Sequence, residues 1–235
     1  MLSSLPAGSN VLIQGASRGI GLEFARQLLA EPRVDRIFAA CRSPRPATAL
    51  ASLAAREPRL QVLALDASDE DSIRAASAAV AVAAPRLHLV INSAGLLHDA
   101  ATGIAPEKRL ADVRRDALAA RFAVNAFGPL LVAKHFEALL AHKERAVFAS
   151  ISARVGSIGD NRLGGWYAYR GAKAAQNMFT KTLSIEWARS RRNVICVALH
   201  PGTTDTELSR PFQANVAPEK LFSTERTVRQ LLSVI

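Results

Sequence analysis

Tyr169 and Lys173 form the pair whose residue types and spacing point most directly to chemistry. They stand four residues apart at the start of an Ala-rich amphipathic segment, so a helix there would place both side chains on one face. A free tyrosine loses its proton near pH ~10, but a lysine ammonium about 4 Å away would favour the phenolate by roughly 4 kcal/mol at an effective dielectric of ~20, or about three pKa units. The pair therefore predicts a general acid or base. The same spacing is also typical of an aromatic ring packed beneath a solvated lysine.

A glycine-rich loop near the start of the chain indicates a phosphate site. It lies between a strand-like run and a segment with helical periodicity, residues 22–30. Glycines let the backbone approach a pyrophosphate closely, and amides at the helix N-terminus donate to it. The residues predicted to contact a dinucleotide here are Gly15, Ser17, Arg18, Gly19, Ile20 and Gly21. A tight turn without a ligand is the alternative interpretation.

The end of the second strand-like run bears on which dinucleotide would bind. An acidic residue for the ribose hydroxyls is often found there, but this chain has Cys41 and then Arg42. Arg42 and Arg18 would together offer two cations to a 2′-phosphate, so the sequence favours NADP(H) over NAD(H). Ordinary solvated arginines are the alternative. Asp66, after the third run, is suited to contact an adenine amino group or to serve as a turn residue.

Two later segments place further polar residues near the expected ligand. Asn92, Ala94 and Gly95 follow the fourth strand-like run, at the edge where open parallel sheets bind ligands. Asn125 lies within a long amphipathic region, where a buried asparagine needs hydrogen-bond partners. Gly128-Pro129 directly afterwards predicts a kink that would free backbone groups beside Asn125. Local helix capping is the alternative role for Asn125.

Strand-like and helical segments alternate along the chain. The predicted strands are residues 10–14, 36–41, 61–65, 87–91, 146–152 and 194–199. This alternation predicts an α/β fold, with one Rossmann-like doubly wound parallel sheet flanked by helices. We expect a single domain over residues 1–235, in which residues 203–222 form a lid over the crevice.

Composition excludes several classes of protein. With 235 residues and 49% hydrophobic content, the chain can bury a large core. It shows no basic leader and no apolar run of the ~20 residues that cross a bilayer, so a soluble, unprocessed, cytoplasmic protein is expected. The net charge of +10 comes from scattered arginines without interleaved aromatics, which disfavours nucleic-acid binding. Cys41 and Cys196 sit beside apolar runs, which favours buried hydrophobes over a disulfide or a metal site.

Taken together, these motifs resemble the short-chain dehydrogenase/reductase family, and the resemblance covers essentially the whole chain. The matching segments are Gly15 to Gly21 for T-G-x-x-x-G-I-G with Gln14 at the threonine position, Asn92 to Gly95 for N-N-A-G, Tyr169 to Lys173 for Y-x-x-x-K, and Pro201 to Thr206 for P-G-x-x-x-T. Residues 154–173 are most similar to the subgroup of sniffer-type carbonyl reductases and the signalling protein C-factor.

The resemblance implies a role for each matching residue. Tyr169 would be the acid/base, Lys173 would lower its pKa and hold the nicotinamide ribose, and Asn125 would hold a water in a proton relay. The nicotinamide and pyrophosphate would also lie against Pro201, Gly202, Thr204 and Thr206. Family members often assemble as dimers or tetramers through the helices that bear Asn125 and Tyr169. They usually continue into a seventh strand, so this chain is expected either to be cut short or to lack that edge.

The sequence departs from the family at the residue that binds the substrate carbonyl. The usual I-S-S-x-x-G is here Ile151 to Gly156 with Ala153 at the second serine, and alanine cannot donate a hydrogen bond. Ser152 could replace it only if the strand has already ended, since neighbouring strand residues face opposite ways. Ser157, on the following loop, is the preferred substitute. Losing one such donor costs on the order of a hundredfold in rate.

The leading expectation is therefore an NADPH-dependent oxidoreductase that reduces a small ketone or aldehyde, or runs the reverse reaction. Trp166, Phe212 and Leu221 suggest a partly apolar substrate pocket, although each could equally be core. Because of Ala153, the alternative is an NADP(H)-binding signalling or regulatory protein with weak or no turnover.

Overall fold

Six parallel strands form the central sheet in the computed structural model of the chain, which describes residues 5–45, 47–190 and 193–235. The strands are β1 Ser9–Gln14, β2 Val34–Cys41, β3 Leu60–Ala64, β4 Leu89–Asn92, β5 Ala146–Ile151 and β6 Val194–Leu199. Their order is β3-β2-β1-β4-β5-β6, and every neighbouring pair is parallel. The predicted α/β doubly wound sheet is confirmed.

Helices cover both faces of this sheet. They are α1 Gly19–Leu29, α2 Thr48–Ala54, α3 Glu70–Ala83, α4 Arg115–Phe122, α5 Gly128–Leu140, α6 Tyr167–Ser190 and α7 Thr224–Val234. Because side chains alternate along a strand, β1 sends Val11 and Ile13 into one core layer and Leu12 into the other. A strand buried on both faces cannot slide by one residue without exchanging its two layers. This packing therefore fixes the register of each strand relative to its neighbours.

The N-cap residue of α3 differs from the predicted one. Residues 68–71 predict a capping box that starts at Ser68, but the cap is Asp69, whose side chain accepts from Asp71 N at 3.0 Å. Ser68 is engaged elsewhere, because its Oγ donates to Asp66 Oδ1 at 2.6 Å. Asp66 thus closes a local turn with one carboxylate oxygen.

The long helical region is irregular just before its proline. A π-helical turn, Ala123–Phe127, joins α4 to α5, and Gly128 N donates to Ala123 O. Pro129 has no N–H and its ring would crowd the carbonyl of Asn125, four residues earlier. Widening the helix just before the proline relieves both problems. The irregular backbone beside Asn125 was predicted, but its form was not.

The helical stretch Arg115–Leu140 is, by length and composition alone, long and apolar enough to cross a membrane, with a mean hydropathy of 1.3 in its most apolar 18-residue window. Charged residues such as Arg121, Lys134 and Glu137 interrupt this stretch, so it is not a continuous apolar run of ~20 residues. In this window 44% of the residues are buried. Val132, Phe136 and Leu140 lie in the core against the sheet. Such packing is typical of the core helix of a folded domain.

The end of the chain covers the α1 face of the sheet. Within the described residues no seventh strand joins the central sheet, as predicted, and β6 is an edge strand with Ile195 39% exposed. A separate parallel pair forms from β7, Thr203–Thr204, and β8, Leu221–Phe222. Residues 1–4 and the arginines at 191 and 192, on which part of the leader and charge arguments depended, lie outside the described residues.

Candidate active site

The carboxyl ends of β1 and β4 meet where the strand order reverses, which is the usual ligand crevice of an open parallel sheet. Gln14 joins these two ends, since its Oε1 accepts from Ala94 N at 3.2 Å and its carbonyl accepts from Ser93 N at 2.8 Å. A Cβ on Gly15 would lie 2.4 Å from Ala94 N, so only glycine fits there. Gln14 thus makes the inter-strand contact at the position where the family has threonine.

Asn125 is fully buried in the π-helical turn, and both ends of its amide are used. Its Oδ1 accepts from Leu96 N at 2.8 Å, and its Nδ2 donates to Leu96 O at 2.7 Å. A Cβ on Gly95 would lie 3.5 Å from Asn125 Oδ1. Asn125 therefore anchors the segment after β4 and satisfies the expectation that a buried asparagine finds partners.

Helix α6 carries Tyr169 and Lys173 on its buried face, at 8% and 2% exposure. Lys173 Nζ donates to Ile151 O at 2.8 Å and to Gln176 Oε1 at 3.0 Å. A Cβ on Gly156 would lie 2.8 Å from the carbonyl carbon of Lys173, so this glycine lets the loop after β5 pack directly on α6. The motifs assigned no role to Gln176, although its i+3 spacing from Lys173 was a usable signal.

The Tyr169 hydroxyl has no hydrogen-bond partner among residues 5–45, 47–190 and 193–235. Its ring packs edge-on against Trp166, with the ring centroids 6.2 Å apart. The ring is thus fixed while its polar end is uncommitted. This is the arrangement required of a group that donates a proton to a bound molecule.

Burial sets the protonation states of this pair. It raises the pKa of Tyr169 to about 12 and lowers the pKa of Lys173 to about 7, because each charged form loses water. Lys173 Nζ lies 5.8 Å from the centroid of the Tyr169 ring. The expectation that the lysine lowers the tyrosine pKa was wrong for the protein alone, because burial of the phenol raises that pKa instead. Near neutral pH Tyr169 keeps its proton.

Replacing Lys173 with methionine is expected to stabilise the fold below pH 7. The unfolded chain keeps this lysine protonated up to pH ~10.4, whereas the folded chain releases the proton near pH 7. Wild-type stability should therefore rise between those two pH values, at up to ~1.4 kcal/mol per pH unit. Lys173→Met lacks that rise, so its advantage, on the order of a few kcal/mol at pH 6, should shrink by pH 9.

Urea unfolding at pH 6 and pH 9 measures this difference. Lys181→Met, at an exposed lysine of the same helix, is the matched control and should follow the wild-type pH dependence. If the free energy of unfolding changed equally with pH in wild type and Lys173→Met, burial of Lys173 would not destabilise the folded state.

The loop after β5 holds the serines considered as carbonyl donors. β5 ends at Ile151, so Ser152 lies beyond the strand, but its Oγ donates to Asn177 Oδ1 on α6 at 2.6 Å. Ser157 is exposed, and its Oγ accepts from Asp160 N at 3.3 Å. Ala153 is partly buried at the start of the short 3-10 turn Arg154–Gly156. Of the two serines, Ser157 has the less committed hydroxyl.

The predicted cofactor residues gather around the β1 and β4 ends. The segment after β6 returns to the glycine loop, because a Cβ on Gly19 would lie 3.3 Å from Thr206 Cγ2. Arg18 Nη1 contacts Glu207 Oε2 at 2.9 Å, with both side chains mostly exposed. Thr204 is instead buried, with its Oγ1 2.9 Å from Thr227 Oγ1, so this hydroxyl serves the fold.

The remaining cofactor candidates differ in their freedom to bind. Arg42 is exposed at the carboxyl end of β2, as predicted. Asp66 keeps Oδ2 available, since Ser68 uses Oδ1. Asn92 Oδ1 is buried without a hydrogen-bond partner in the described chain. Ser17, Ile20, Pro201 and Gly202 are partly buried along the same edge.

Aromatic side chains form one wall beside Tyr169. Trp166 contacts Phe212 at a centroid distance of 4.9 Å, and Phe212 contacts His98 at 5.8 Å. Trp166 has φ of 52°, a left-handed conformation that is unfavourable for a bulky residue. The predicted proximity of Trp166 and Phe212 is observed, whereas Leu221 pairs through its backbone with Thr203.

A second polar cluster lies at the opposite edge of the sheet. The ligand atoms of His88, His142 and Glu144 are within 4.8 Å of one another, a spacing that a metal ion could use. However, Asn10 N donates to His88 Nδ1 at 3.1 Å, so the ring proton sits on Nε2 and faces Glu144 Oε2 at 2.7 Å. A metal at Nε2 would need the opposite tautomer, so we assign a hydrogen bond there.

Comparison with known proteins agrees with this geometry. An oxidoreductase of Schizosaccharomyces pombe, itself uncharacterised, is 31% identical over 198 residues, covering 84% of this chain and 74% of that protein. The C-signal protein of Myxococcus xanthus is 34% identical over 126 residues, covering 54% of this chain and 70% of that protein.

The fold of this chain is also similar to solved structures of carbonyl reductases. NADPH-bound carbonyl reductase from chicken fatty liver is 29% identical with a TM-score of 0.85, covering 99% of this chain and 88% of that one. The carbonyl reductase Sniffer of Drosophila melanogaster is 28% identical with a TM-score of 0.85, covering 97% and 91%. The family profile described as short chain dehydrogenase matches residues 9–217, so the chain belongs to the short-chain dehydrogenase family and is an NAD(P)-dependent oxidoreductase.

Proposed function

We propose that this protein is an NADPH-dependent carbonyl reductase that converts a ketone or aldehyde to an alcohol, or runs the reverse reaction. The observation that carries this proposal is the hydroxyl of Tyr169, which keeps its proton at neutral pH and has no partner among the described residues. It lies on α6 beside buried Lys173. A substrate carbonyl is the acceptor that this donor lacks.

The crevice fits a dinucleotide. The glycine loop forms a cradle that a side chain at Gly15 would fill, and Asn92 Oδ1 is a buried acceptor without a partner in the described chain. When bound, the dinucleotide supplies the hydride. Its proposed contacts are Gly15, Ser17, Arg18, Gly19, Ile20, Gly21, Arg42, Asp66, Asn92, Ala94, Gly95, Tyr169, Lys173, Pro201, Gly202, Thr204 and Thr206. For Thr204 only the backbone is proposed to take part, because its hydroxyl binds Thr227.

Separate residues of the chain would then donate the proton, orient the site and bind the relay water. Tyr169 Oη donates its proton to the carbonyl oxygen. Lys173, whose ammonium forms below pH about 7, holds the ribose and orients the site. Asn125, as the resemblance implies, holds a water of the relay through its backbone, since both ends of its amide bind Leu96. Ser157 is proposed to hold the substrate carbonyl in place of a serine at position 153.

The substrate is proposed to be a small carbonyl compound with an apolar or aromatic substituent. Trp166 and Phe212 would contact that substituent, and residues 203–222 would close over it as a lid. We also propose a homodimer or homotetramer, because the π-helical turn, α5 and α6 expose Phe127, Leu130, Met178 and Ile185. A cytoplasmic location is consistent with free Cys41 and Cys196.

NADPH preference is tested at Arg42. Arg42→Ala should raise the KM for NADPH about tenfold while leaving the KM for NADH unchanged, since one charge-assisted hydrogen bond to a phosphate contributes ~1.5–3 kcal/mol when well formed. Arg18→Ala should have a smaller effect, because Arg18 already pairs with Glu207. Steady-state kinetics with both cofactors measures this. Arg45→Ala, at an exposed arginine of the following loop, is the matched control. Equal use of NADH and NADPH by wild type would refute the preference.

A second candidate function follows from Ala153. Without a donor at that position, the protein would bind NADP(H) as a signalling or regulatory protein and turn over poorly, and one relative is C-signal. NADPH consumption with a broad panel of aldehydes and ketones separates the two. Turnover of any panel member supports the reductase, whereas tight NADPH binding without turnover supports the regulatory protein.

A further inference from the structure

A buried ion pair lies next to the start of α6. Arg121 and Glu107 are 0% and 2% exposed, and Arg121 Nη1 contacts Glu107 Oε1 at 2.7 Å. Removing two charges from water is costly, and such a pair contributes little stability compared with well-packed apolar residues. Its position therefore needs an explanation other than stability.

Glu107 caps α6 from a distant part of the chain. The residue before this helix is Trp166, which has no side-chain oxygen to accept from the first amides. Glu107 Oε2 accepts from Ala168 N at 3.3 Å, and Glu107 O accepts from Trp166 N. A carboxylate at a helix N-terminus also interacts favourably with the helix dipole. Glu107 thus binds the amides of Trp166 and Ala168, and Ala168 directly precedes Tyr169.

Arg121 connects this cap to the segment after β4. Its Nε and Nη2 donate to Leu97 O at 3.0 and 2.9 Å. The neighbouring residue Leu96 is held by Asn125 through two hydrogen bonds. One guanidinium therefore fixes the position of α6 relative to the segment that follows Gly95.

We propose that Glu107 and Arg121 are positioning residues for the reaction: they fix the start of α6, and with it the Tyr169 hydroxyl, relative to the crevice edge. The backbone carbonyl of Glu107 also accepts from the amide of Trp166, whose left-handed conformation accompanies its ring contact with Tyr169. This inference rests on the proposed carbonyl reduction and assigns it two residues that touch neither substrate nor cofactor.

Glu107→Gln tests the proposal, because it preserves shape but turns one of two acceptor oxygens into a donor. The amide must then face either Arg121 or Ala168 N with its NH₂ group. We expect kcat for carbonyl reduction to fall about tenfold to a hundredfold, the scale of a displaced reacting group. The KM for NADPH should stay unchanged, the pH profile of kcat/KM should move, and amide exchange in residues 163–173 should become faster.

Glu23→Gln is the matched control, since Glu23 is also buried and pairs with Arg26 on α1. It should alter neither kcat nor exchange in residues 163–173. If Glu107→Gln does not fold, Arg121→Lys is the second variant, because it keeps a buried cation beside Glu107 but loses the paired contact with Leu97 O. It should give the same pattern.

A lower melting temperature with wild-type kcat, pH profile and exchange would overturn the proposal, because only stability would then depend on the pair. Wild type that binds NADPH but reduces no carbonyl would defeat the proposed function instead. In that case the exchange measurement still decides on positioning: faster exchange at the start of α6 supports it, and unchanged exchange rejects it.

Discussion

Tyr169→Phe is expected to lower kcat for carbonyl reduction by about 10² to 10⁴-fold, the range that a general acid contributes. The variant should bind NADPH as wild type does and fold normally, because its ring still packs against Trp166 and the lost hydroxyl has no partner among the described residues. The measurement is NADPH oxidation with a panel of ketones and aldehydes, together with NADPH affinity by fluorescence titration.

The chain offers a close control two residues earlier on the same helix. Tyr167 is 45% exposed, so Tyr167→Phe should leave kcat unchanged. If Tyr169→Phe retained full turnover, the assignment of the proton donor would be rejected. Loss of both turnover and NADPH affinity would indicate that the hydroxyl serves cofactor binding rather than proton transfer.

Ala153→Ser is expected to raise kcat by up to about a hundredfold, the typical contribution of one hydrogen-bond donor to a developing oxyanion. Ala153 begins the turn after β5, and Gly156 brings that turn into contact with α6 at Lys173. A hydroxyl at position 153 would thus join the loop that packs beside the catalytic helix. Single-turnover reduction with NADPH in excess isolates the chemical step.

Ser157→Ala determines whether another donor already fills this role. If Ser157 holds the carbonyl, its removal should lower kcat and Ala153→Ser should restore it. Ser152→Ala is the comparison variant, since its hydroxyl binds Asn177. No gain in Ala153→Ser, with no loss in Ser157→Ala, would show that the chemical step does not depend on a donor from this loop.

Local sequence patterns were sufficient to predict the fold, because each pattern reflects a requirement for burial or for regular backbone structure. Apolar runs such as Val11 to Ile13 must be buried, and helical periodicity between such runs requires parallel strands with helices on both faces. The predicted strand ends therefore agree closely with the observed ones. Since ligands bind at the carboxyl ends of such strands, the same patterns also predicted the edge at which Gly15, Asn92 and Tyr169 gather.

Predictions failed where one residue's choice depended on a distant partner. Ser68 was expected to cap α3, but Asp66 binds its hydroxyl, so Asp69 caps the helix. Glu107 and Arg121 were missed because they are separated by 14 positions and meet only after β4, α4 and α6 have packed together.

The sequence by itself determined the family, the sheet and the candidate proton donor, because motif order and periodicity are properties of the chain. The tertiary structure alone decided the protonation states of Tyr169 and Lys173. Spacing on a helix brings the two together and predicts a lowered tyrosine pKa, whereas burial raises that pKa to about 12 and lowers the lysine pKa to about 7. Desolvation depends on every element that covers the pair, and no local pattern of residues contains that information.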